Sequence, residues 1–369
     1  MDLFKNISRE IPVRYVFIAK DNPKERIPKD SGIDHIDLDL PDKLFFKNDM
    51  GPGLGIRGLF RLLTREIGLL KNEEFDIIVT STQNSIHTHV AFLYSKIRKK
   101  RIYIWTETWN IPKRYNFIQK LYYRYNDQFL KYSNGVLSHG TNTKRYCLGI
   151  GIPKDRIIEF NHCSSDKSLE RIYQDFIQSL GLKEKTVILY FGRLVKRKGL
   201  EFLLEAFQKI EREHSEAYLL IVGRGEEEKY FKDLSRELNI KNVNFYGFID
   251  FKYAASVFSA SDIFCLPSYV YENSGGEGWG LVLNEACSMG LPIVTTDAVG
   301  GAPDLVIEGN NGFIIRNGNS DALYHALSKL VADGGLRKTM SINSRAIFER
   351  FNNYEVVVNN LKKGLSTDE

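Results

Sequence analysis

The chain has 369 residues and a formal net charge of +5; 43% of its residues are hydrophobic and 26% are charged. This length is typical of about two domains of ~100–200 residues each, and the composition is that of an ordinary globular protein. No apolar run reaches the ~20 residues that a membrane-spanning helix needs, and residues 1–20 lack the apolar core of a signal peptide, so we expect a cytoplasmic protein.

The two halves of the chain differ in charge. Residues 1–165 contain 27 Lys and Arg against 18 Asp and Glu, whereas the remaining residues carry a small acidic excess. A basic N-terminal half indicates an anionic partner, which we do not expect to be a nucleic acid. The cysteines are scattered, with no CxxC pair and no His pair at zinc spacing, so we expect reduced, mostly buried thiols and no metal ion.

Predicted strands and helices alternate through the first half of the chain. Residues 21–52 are polar and rich in Asp, Lys and Pro, and only short strands are predicted there. Elsewhere we predict helices at 2–9, 55–71, 87–99, 112–131 and 142–148, and strands at 11–19, 75–80, 101–106, 135–139 and 157–161. Such alternation favours a parallel sheet.

A second alternating series fills the rest of the chain. We predict strands at 186–191, 217–222, 242–246, 263–267, 292–295 and 312–315, helices at 200–212, 226–238, 253–259 and 280–289, and then helices to residue 365. The series meet near residues 166–184, which predicts domains at 1–168 and 169–350, with residues 351–369 as a helix crossing back. Ligands of such sheets bind beyond the carboxyl ends of the strands, here between the domains.

The stretch 274–287 (SGGEGWGLVLNEAC) combines a glycine-rich loop, the start of a helix and two carboxylates. Unpaired N–H groups at a helix start attract a diphosphate, and Gly278 and Gly280 permit its close approach. Glu277 and Glu285 suit sugar and ribose hydroxyls, because an ionised carboxylate is a strong acceptor. An amphipathic surface helix after a flexible loop remains the alternative.

A second loop, GRLVKRKG at 192–199, follows strand 186–191 directly. Cations fixed at the carboxyl end of a strand suit a diphosphate. Arg193 can bind it through two N–H groups of its guanidinium, and Lys198 can bind it as a point charge. Solvated loop charges would give the same pattern.

Together these motifs resemble the nucleotide-binding domain of the retaining GT-B glycosyltransferases known as glycosyltransferase family 4. The resemblance covers residues 186–315 and rests on motifs that occur in the family's order: G-R-x4-K-G at 192–199, IVG at 221–223, ASDIFCLPS at 260–268, E-x7-E from Glu277 to Glu285, GLPIV at 290–294, VGG at 299–301 and GNNGF at 309–313. It implies an α/β GT-B fold of two Rossmann-like domains facing across a cleft.

The resemblance also implies residue roles. The residues matching Gly192, Arg193 and Lys198 hold the donor diphosphate and stabilise the leaving nucleotide in place of a metal ion. The backbone amides near Gly280, Leu281 and Val282, at the start of a helix, bind the same phosphates. Glu285 then binds the ribose, Glu277 contacts the donor sugar, and the backbone of Phe248 meets the base. The implied donor is a UDP-, GDP- or ADP-sugar, with no cofactor.

The N-terminal half departs from the family pattern. Many members place a His at the end of a strand facing the donor sugar; here that strand is followed by Glu107, which either takes this catalytic place or leaves the role absent. His87, His89, His139 and His162 are other candidates. Residues 1–19 resemble only a later helix and strand, so we expect the family's first strand and its phosphate turn to be missing.

Two further N-terminal patterns leave alternatives open. GLGIRG at 53–58 formally spells GxGxxG but follows no predicted strand, so we interpret it as a loop and helix start. Segments 55–71 and 113–125 combine basic with bulky apolar residues, which suits either an anionic membrane surface or a core-facing helix with a charged back.

We therefore predict a retaining hexosyltransferase that moves a sugar from a nucleotide donor to an acceptor hydroxyl. A lipid-linked or polysaccharide acceptor, and peripheral membrane association, fit the basic face. The alternatives are a non-catalytic GT-B partner or scaffold and a nucleotide-sugar epimerase on the same fold.

Overall fold

The computed structural model describes residues 7, 15–19, 35–39, 67–68, 70–71, 75–109, 116–271 and 275–366. Most of the predicted helices 2–9 and 55–71, the GxGxxG run, residues 113–115 of the second basic segment and the question of a missing first strand lie outside these residues. Strands β1 (Tyr15–Ala19) and β2 (His35–Asp39) pair in parallel with each other.

The N-terminal domain is built on a parallel sheet of four strands in the order β3-β4-β5-β6. Its elements follow one another as alternating strands and helices: β3 (Ile77–Ser81), α1 (Ile86–Arg98), β4 (Arg101–Thr106), α2 (Phe117–Tyr132), β5 (Gly135–Ser138), α3 (Gly140–Gly149) and β6 (Ile157–Glu159).

The C-terminal domain is built on a parallel sheet of six strands in the order β12-β11-β10-β7-β8-β9. Its strands are β7 (Thr186–Phe191), β8 (Ala217–Val222), β9 (Val243–Gly247), β10 (Ile263–Leu266), β11 (Ile293–Thr296) and β12 (Gly312–Ile315). Its helices, with the last helix of the chain, are α4 (Gln174–Ser179), α5 (Leu200–Glu213), α6 (Glu228–Glu237), α7 (Ala254–Ser259), α8 (Val282–Ser288), α9 (Ala302–Leu305), α10 (Ser320–Ala332), α11 (Gly334–Phe351) and α12 (Tyr354–Ser366). Short 3-10 turns lie at Lys154–Arg156, Lys167–Leu169, Lys196–Lys198 and Phe251–Tyr253.

The strand sequences explain why the six-stranded sheet is covered on both faces. Along β7, Val187 and Leu189 belong to one buried cluster, and Ile188 and Tyr190 belong to the other. A strand buried on both sides needs a continuous apolar run rather than an alternating one. The predicted α/β fold with two parallel-sheet domains is confirmed.

The strand order determines where a ligand can bind in the C-terminal domain. From β7 the chain winds outward through β8 and β9, then returns to β10 on the other side of β7. The loops after β7 and β10 therefore diverge at a topological switch point, where open α/β sheets bind their ligands. Residues 192–199 follow β7, and residues 275–281 follow β10.

Helix α12 packs on the N-terminal sheet. Val357, Val358 and Leu361 share a buried cluster with Tyr103 and Ile158. The Arg101 guanidinium donates to the Leu365 carbonyl at 2.7 Å. The end of the chain described here is thus held against the first domain by both apolar contacts and hydrogen bonds.

Three local features differ from the sequence predictions. Helix α8 is shorter than the predicted 280–289, because residues 280–281 form the turn that precedes it. Helices α4 and α9 were not predicted, since six and four residues are too few to show a helical period.

Candidate active site

The carboxyl ends of three C-terminal strands lie side by side. The Gly192 N–H donates to the Val222 carbonyl at 2.9 Å, and the Gly223 N–H donates to the Gly247 carbonyl at 2.8 Å. Arg193 and Phe248 follow two of these strand ends directly, and both side chains are exposed. The structure thus places these two predicted donor residues on one edge of the sheet.

The loop after β7 is fixed by a glycine in the left-handed region. Gly199 has φ 67° and joins the 3-10 turn Lys196–Lys198 to helix α5. A Cβ there would overlap the carbonyl oxygen of Pro267, so only glycine fits. This close approach holds the loop after β7 against the segment that follows β10.

Glu277 is shared by two cations of that loop. Its Oε2 lies 2.7 Å from Lys198 Nζ and 2.8 Å from Arg197 Nη1, and all three groups are partly or largely buried. Burial alone would raise the pKa of Glu277, but Lys198 and Arg197 outweigh it and lower the pKa. Burial, with Arg197 and Arg193 nearby, lowers the pKa of Lys198, although Glu277 opposes this shift. The structure therefore brings the predicted residues Lys198 and Glu277 together and adds Arg197, which the sequence analysis missed.

The second carboxylate, Glu285, lies in a separate ion pair. Its Oε1 is 3.9 Å from Nζ of Lys167, which is fully buried, contacts Glu170 at 2.7 Å and stacks over the ring of Phe251 at 3.7 Å. Burial raises the pKa of Glu285 while Lys167 lowers it, and the net shift is upward.

Residues 280–282 precede the first bonded turn of α8. The Leu283 N–H donates to the Gly280 carbonyl at 2.8 Å, and the Asn284 N–H donates to the Leu281 carbonyl at 2.9 Å. Helix α8 itself begins at Val282. The predicted phosphate-facing amides of Gly280 and Leu281 thus belong to the turn before the helix, and that of Val282 belongs to the first residue of the helix.

The N-terminal domain contacts this loop directly. Trp109 Nε1 donates to the Glu277 carbonyl at 3.1 Å, and a Cβ on Gly278 would overlap Oε2 of Glu107. Asn142 Nδ2 donates to the Gly300 carbonyl at 3.2 Å. The two domains therefore meet at the predicted site, with Glu107 against the glycine-rich loop.

The four candidate histidines separate into two groups. His87 and His89 lie on α1; His89 Nε2 is 2.9 Å from both the Gln83 carbonyl and Asn126 Oδ1, and its ring stacks on Phe129. His139 and His162 lie beside Glu107 instead, with His162 Nε2 3.7 Å from Glu107 Oε1. All four cysteines are free and buried, as expected.

Residues 173–347 match the sequence profile of a family described as glycosyl transferases group 1. The chain matches this profile over 175 of its 369 residues, which include all six strands of the C-terminal sheet. As predicted from its motifs, it is a glycosyltransferase that depends on a nucleotide sugar.

Known relatives and structures extend this similarity beyond the matched domain. The glycosyltransferase is 27% identical over 299 residues to an uncharacterized glycosyltransferase of Methanocaldococcus jannaschii, covering 79% of this chain and 74% of that protein. It is 31% identical over 207 residues to a GDP-mannose-dependent monoacylated alpha-(1-6)-phosphatidylinositol monomannoside mannosyltransferase of Corynebacterium glutamicum, covering 55% and 51% of the two chains.

The solved structure of Anabaena HepE in complex with UDP has the same fold as the glycosyltransferase. The TM-score is 0.77 at 18% identity, and the similarity covers 99% of this chain and 94% of that one. The GT-B architecture is therefore established over both domains.

Proposed function

We propose that this glycosyltransferase moves a hexosyl group from a nucleoside-diphosphate sugar to an acceptor hydroxyl with retention of anomeric configuration. The observation that carries the proposal is the convergence of Arg193, Lys198 and Glu277 at the switch point of the C-terminal sheet, directly opposite Glu107 of the other domain.

The loop after β7 supplies the cations for the diphosphate. Arg193 is exposed at the strand end, whereas Lys198 is buried and held in place by Glu277. Both cations would bind the phosphate oxygens and stabilise the charge that grows as the C1–O bond breaks, which is electrostatic preorganisation without a bridging metal ion. Gly192 and the amides of residues 280–282 would complete the phosphate site.

Glu277, Glu285 and the residue after strand β9 would bind the sugar, the ribose and the base of the donor. Glu285 would accept hydrogen bonds from the ribose hydroxyls, and Glu277 would contact the donor sugar from beside Lys198. Phe248, at the end of β9, would place its backbone against the base. The solved structure of HepE contains UDP, and the Corynebacterium enzyme is named for its dependence on GDP-mannose. UDP-, GDP- and ADP-sugars are therefore all to be tested as donors.

Retention would follow from an internal-return path. The acceptor oxygen bonds to C1 on the face that the diphosphate leaves, and the acceptor proton passes to the departing phosphate oxygen. The contacts of Trp109 and Asn142 with the opposite domain would close the cleft and exclude water from the donor. Glu107, against Gly278, is placed to contact the acceptor or the donor sugar.

Calorimetric titration with UDP, GDP and ADP tests the donor site. We expect one nucleotide to bind, and Arg193→Ala and Glu285→Ala each to weaken binding by about 1–3 kcal/mol, as the loss of a charged hydrogen bond does. The matched control is Arg236→Ala, an exposed arginine on α6 that pairs with Asp233. If no nucleotide binds, the chain is a non-catalytic GT-B scaffold instead.

Product analysis separates transfer from epimerisation. Incubation with the nucleotide sugar alone should leave the donor sugar unchanged, apart from slow hydrolysis. A new nucleotide-sugar epimer formed without any acceptor would contradict the transferase proposal and support an epimerase.

We further propose that the acceptor is lipid-linked and lies at an anionic membrane surface. Helices α1 and α2 are adjacent, because Lys96 Nζ donates to the Tyr132 carbonyl at 2.8 Å. Their outer faces expose large apolar side chains, including Ile97 (78% exposed), Phe117 (81%) and Ile118 (74%).

The basic charge of α1 and α2 favours an anionic membrane over an uncharged apolar partner. The basic residues include Lys96, Lys120 and Arg124, whereas the acid of the two helices, Asp127, is buried and accepts a hydrogen bond from the Tyr146 hydroxyl at 2.6 Å. Apolar side chains mixed with cations suit the interface of anionic lipids. No helix within the described residues is long and apolar enough to cross a membrane.

Vesicle sedimentation tests this membrane surface. The protein should pellet with vesicles of phosphatidylglycerol and phosphatidylcholine, less so at high salt, and Phe117→Ser with Ile118→Ser should abolish pelleting. Ile342→Ser is the matched control, since Ile342 is 64% exposed on α11 of the C-terminal domain. Pelleting that is equal with phosphatidylcholine alone, or unchanged in the α2 variant, would refute the proposal.

A further inference from the structure

Three potential metal ligands meet at one edge of the N-terminal sheet. Glu107 follows β4, His139 follows β5 and His162 lies just beyond β6. Neighbouring parallel strands end at the same edge, so these residues come together although they are far apart in sequence. One carboxylate oxygen and one nitrogen from each imidazole all lie within 4.8 Å of one another.

His139 is the deepest member of the cluster. It is 1% exposed, its ring stacks on Trp105 at 4.9 Å, and Trp279 of the C-terminal domain approaches edge-on at 6.3 Å. Neither of its ring nitrogens has a hydrogen-bond partner among the described residues. Buried polar atoms are normally hydrogen-bonded, and burial without a partner costs free energy, so a cation bound at one nitrogen of this ring would remove part of that cost.

The cluster also has an accessible member. Glu107, by contrast, is 44% exposed in its side chain and provides an open approach from the cleft.

We propose that Glu107, His139 and His162 bind one divalent transition-metal ion, with Zn²⁺ the best match. Two imidazole nitrogens and one carboxylate form a donor set that Zn²⁺ uses with a fourth position open. Mg²⁺ and Ca²⁺ are disfavoured because they prefer sites made of oxygen atoms. Ligand atoms around tetrahedral zinc, with bonds of about 2.0–2.2 Å, lie closer together than here, so the three side chains would contract on binding.

The ion would have a different place from the diphosphate. Its ligands come from the N-terminal domain, whereas Arg193 and Lys198 belong to the loop after β7. It would sit where Glu107 meets Gly278 and where His162 and His139 meet Trp279. Binding there would fix the orientation of Glu107 at the boundary between the domains, and the inference stands whether or not the proposed transfer reaction is correct.

Metal titration of the chelator-stripped full chain tests the site. We expect calorimetry to give one equivalent of Zn²⁺, and Co²⁺ to give the intense visible bands of a low-coordinate site. Glu107→Gln and His162→Gln should each weaken Zn²⁺ binding at least tenfold and dim the Co²⁺ bands.

A histidine beside a carboxylate elsewhere provides the control. His214 Nδ1 lies 3.6 Å from Glu216 in the C-terminal domain, and His214→Gln should leave Zn²⁺ affinity and the Co²⁺ spectrum unchanged. Thermal unfolding of each variant confirms that it is folded. Absence of stoichiometric Zn²⁺ binding by the unmodified chain, or equal binding by folded Glu107→Gln and His162→Gln, would overturn the inference.

Discussion

Asp304 of the C-terminal domain accepts hydrogen bonds from both the backbone N–H and the hydroxyl of Thr141 in the N-terminal domain, at 3.0 and 2.6 Å. Thr141 lies in the first turn of α3, so the carboxylate caps this helix from the opposite side of the cleft. A negative group at a helix start pairs with unsatisfied N–H groups and with the helix dipole. One buried side chain thus couples closure of the two domains to a favourable electrostatic contact.

Replacing Asp304 by Ala should weaken the closed state without damaging the donor site. The lost charged hydrogen bonds are worth about 1–3 kcal/mol, so kcat/KM should fall by roughly 5- to 150-fold while nucleotide affinity, measured by calorimetry, stays the same. Asp297→Ala is the control, because Asp297 is exposed and bonds to Asn317 within its own domain. Unchanged kcat/KM in Asp304→Ala would show that this contact does not limit closure.

The ion pair of Asp166 and Arg345 should make the free energy of unfolding depend on pH in the acidic range. Two guanidinium nitrogens donate to the two carboxylate oxygens at 2.7 and 2.6 Å. Burial alone would raise the pKa of Asp166, but the hydrogen bonds from Arg345 and Ser168 lower it. The stabilisation is therefore complete above the unfolded-state pKa, about 3.9, and is lost as the pH falls through the lower folded-state value.

Urea unfolding at several pH values checks this expectation. Asp166→Asn should reduce the free energy of unfolding by about 1–3 kcal/mol at pH 7, and the difference from the unmodified protein should shrink below about pH 4. Asp233→Asn is the control, since its exposed pair with Arg236 should contribute at most ~1 kcal/mol. A difference that is constant from pH 7 to pH 3 would contradict the assignment.

A feature of this structure could be predicted where its sequence pattern lies within one short segment of the chain. The strand–loop run at 186–199 and the loop–helix run at 275–288 each carry their own pattern, so the resemblance to the family and the fold follow from the sequence. Apolar runs such as those at 186–191 and 217–222 predicted buried strands correctly, because two-sided burial leaves little choice of residue.

Contacts that depend on how chain segments meet in space could not be predicted. Arg197 looks like a solvated loop charge until β10 brings Glu277 beside it, and nothing near Thr141 in the sequence indicates Asp304. The cluster of Glu107, His139 and His162 shows no metal-ligand spacing, since its members meet through sheet topology alone. The sequence analysis therefore gave no reason to expect a metal ion at the place where these three side chains converge.

Glu277→Gln should separate nucleotide binding from transfer. The substitution keeps the size of the side chain but removes the charge that Lys198 and Arg197 share, so both cations become available to the diphosphate. We expect nucleotide affinity to be equal or higher, while kcat falls at least tenfold because Lys198 is no longer held in position. Calorimetry and steady-state kinetics on one preparation measure both effects. Weaker nucleotide binding would mean that Glu277 itself contacts the nucleotide or that the loop collapses.

Lys167→Met tests whether this buried lysine sets the pKa of Glu285, the carboxylate that we propose for ribose binding. Removing the positive charge 3.9 Å from Glu285 should raise the pKa of Glu285 further than burial already does. A protonated carboxyl group is a poorer acceptor for hydroxyls, so the nucleotide Kd should increase as the pH falls. The increase should be larger at pH 6 than at pH 8, because binding needs the ionised form.

Glu170→Gln distinguishes this electrostatic effect from simple loss of packing. Glu170 competes with Glu285 for Lys167, at 2.7 Å against 3.9 Å, and neutralising it leaves the ammonium group to Glu285 alone. The pKa of Glu285 should then fall, and nucleotide affinity should be retained or increase. Calorimetry at pH 6, 7 and 8 on both variants, with Lys209→Met as an exposed control on α5, measures these opposite shifts. If both variants weakened nucleotide binding equally, the effect would be one of packing, and Lys167 would have no electrostatic influence on the ribose site.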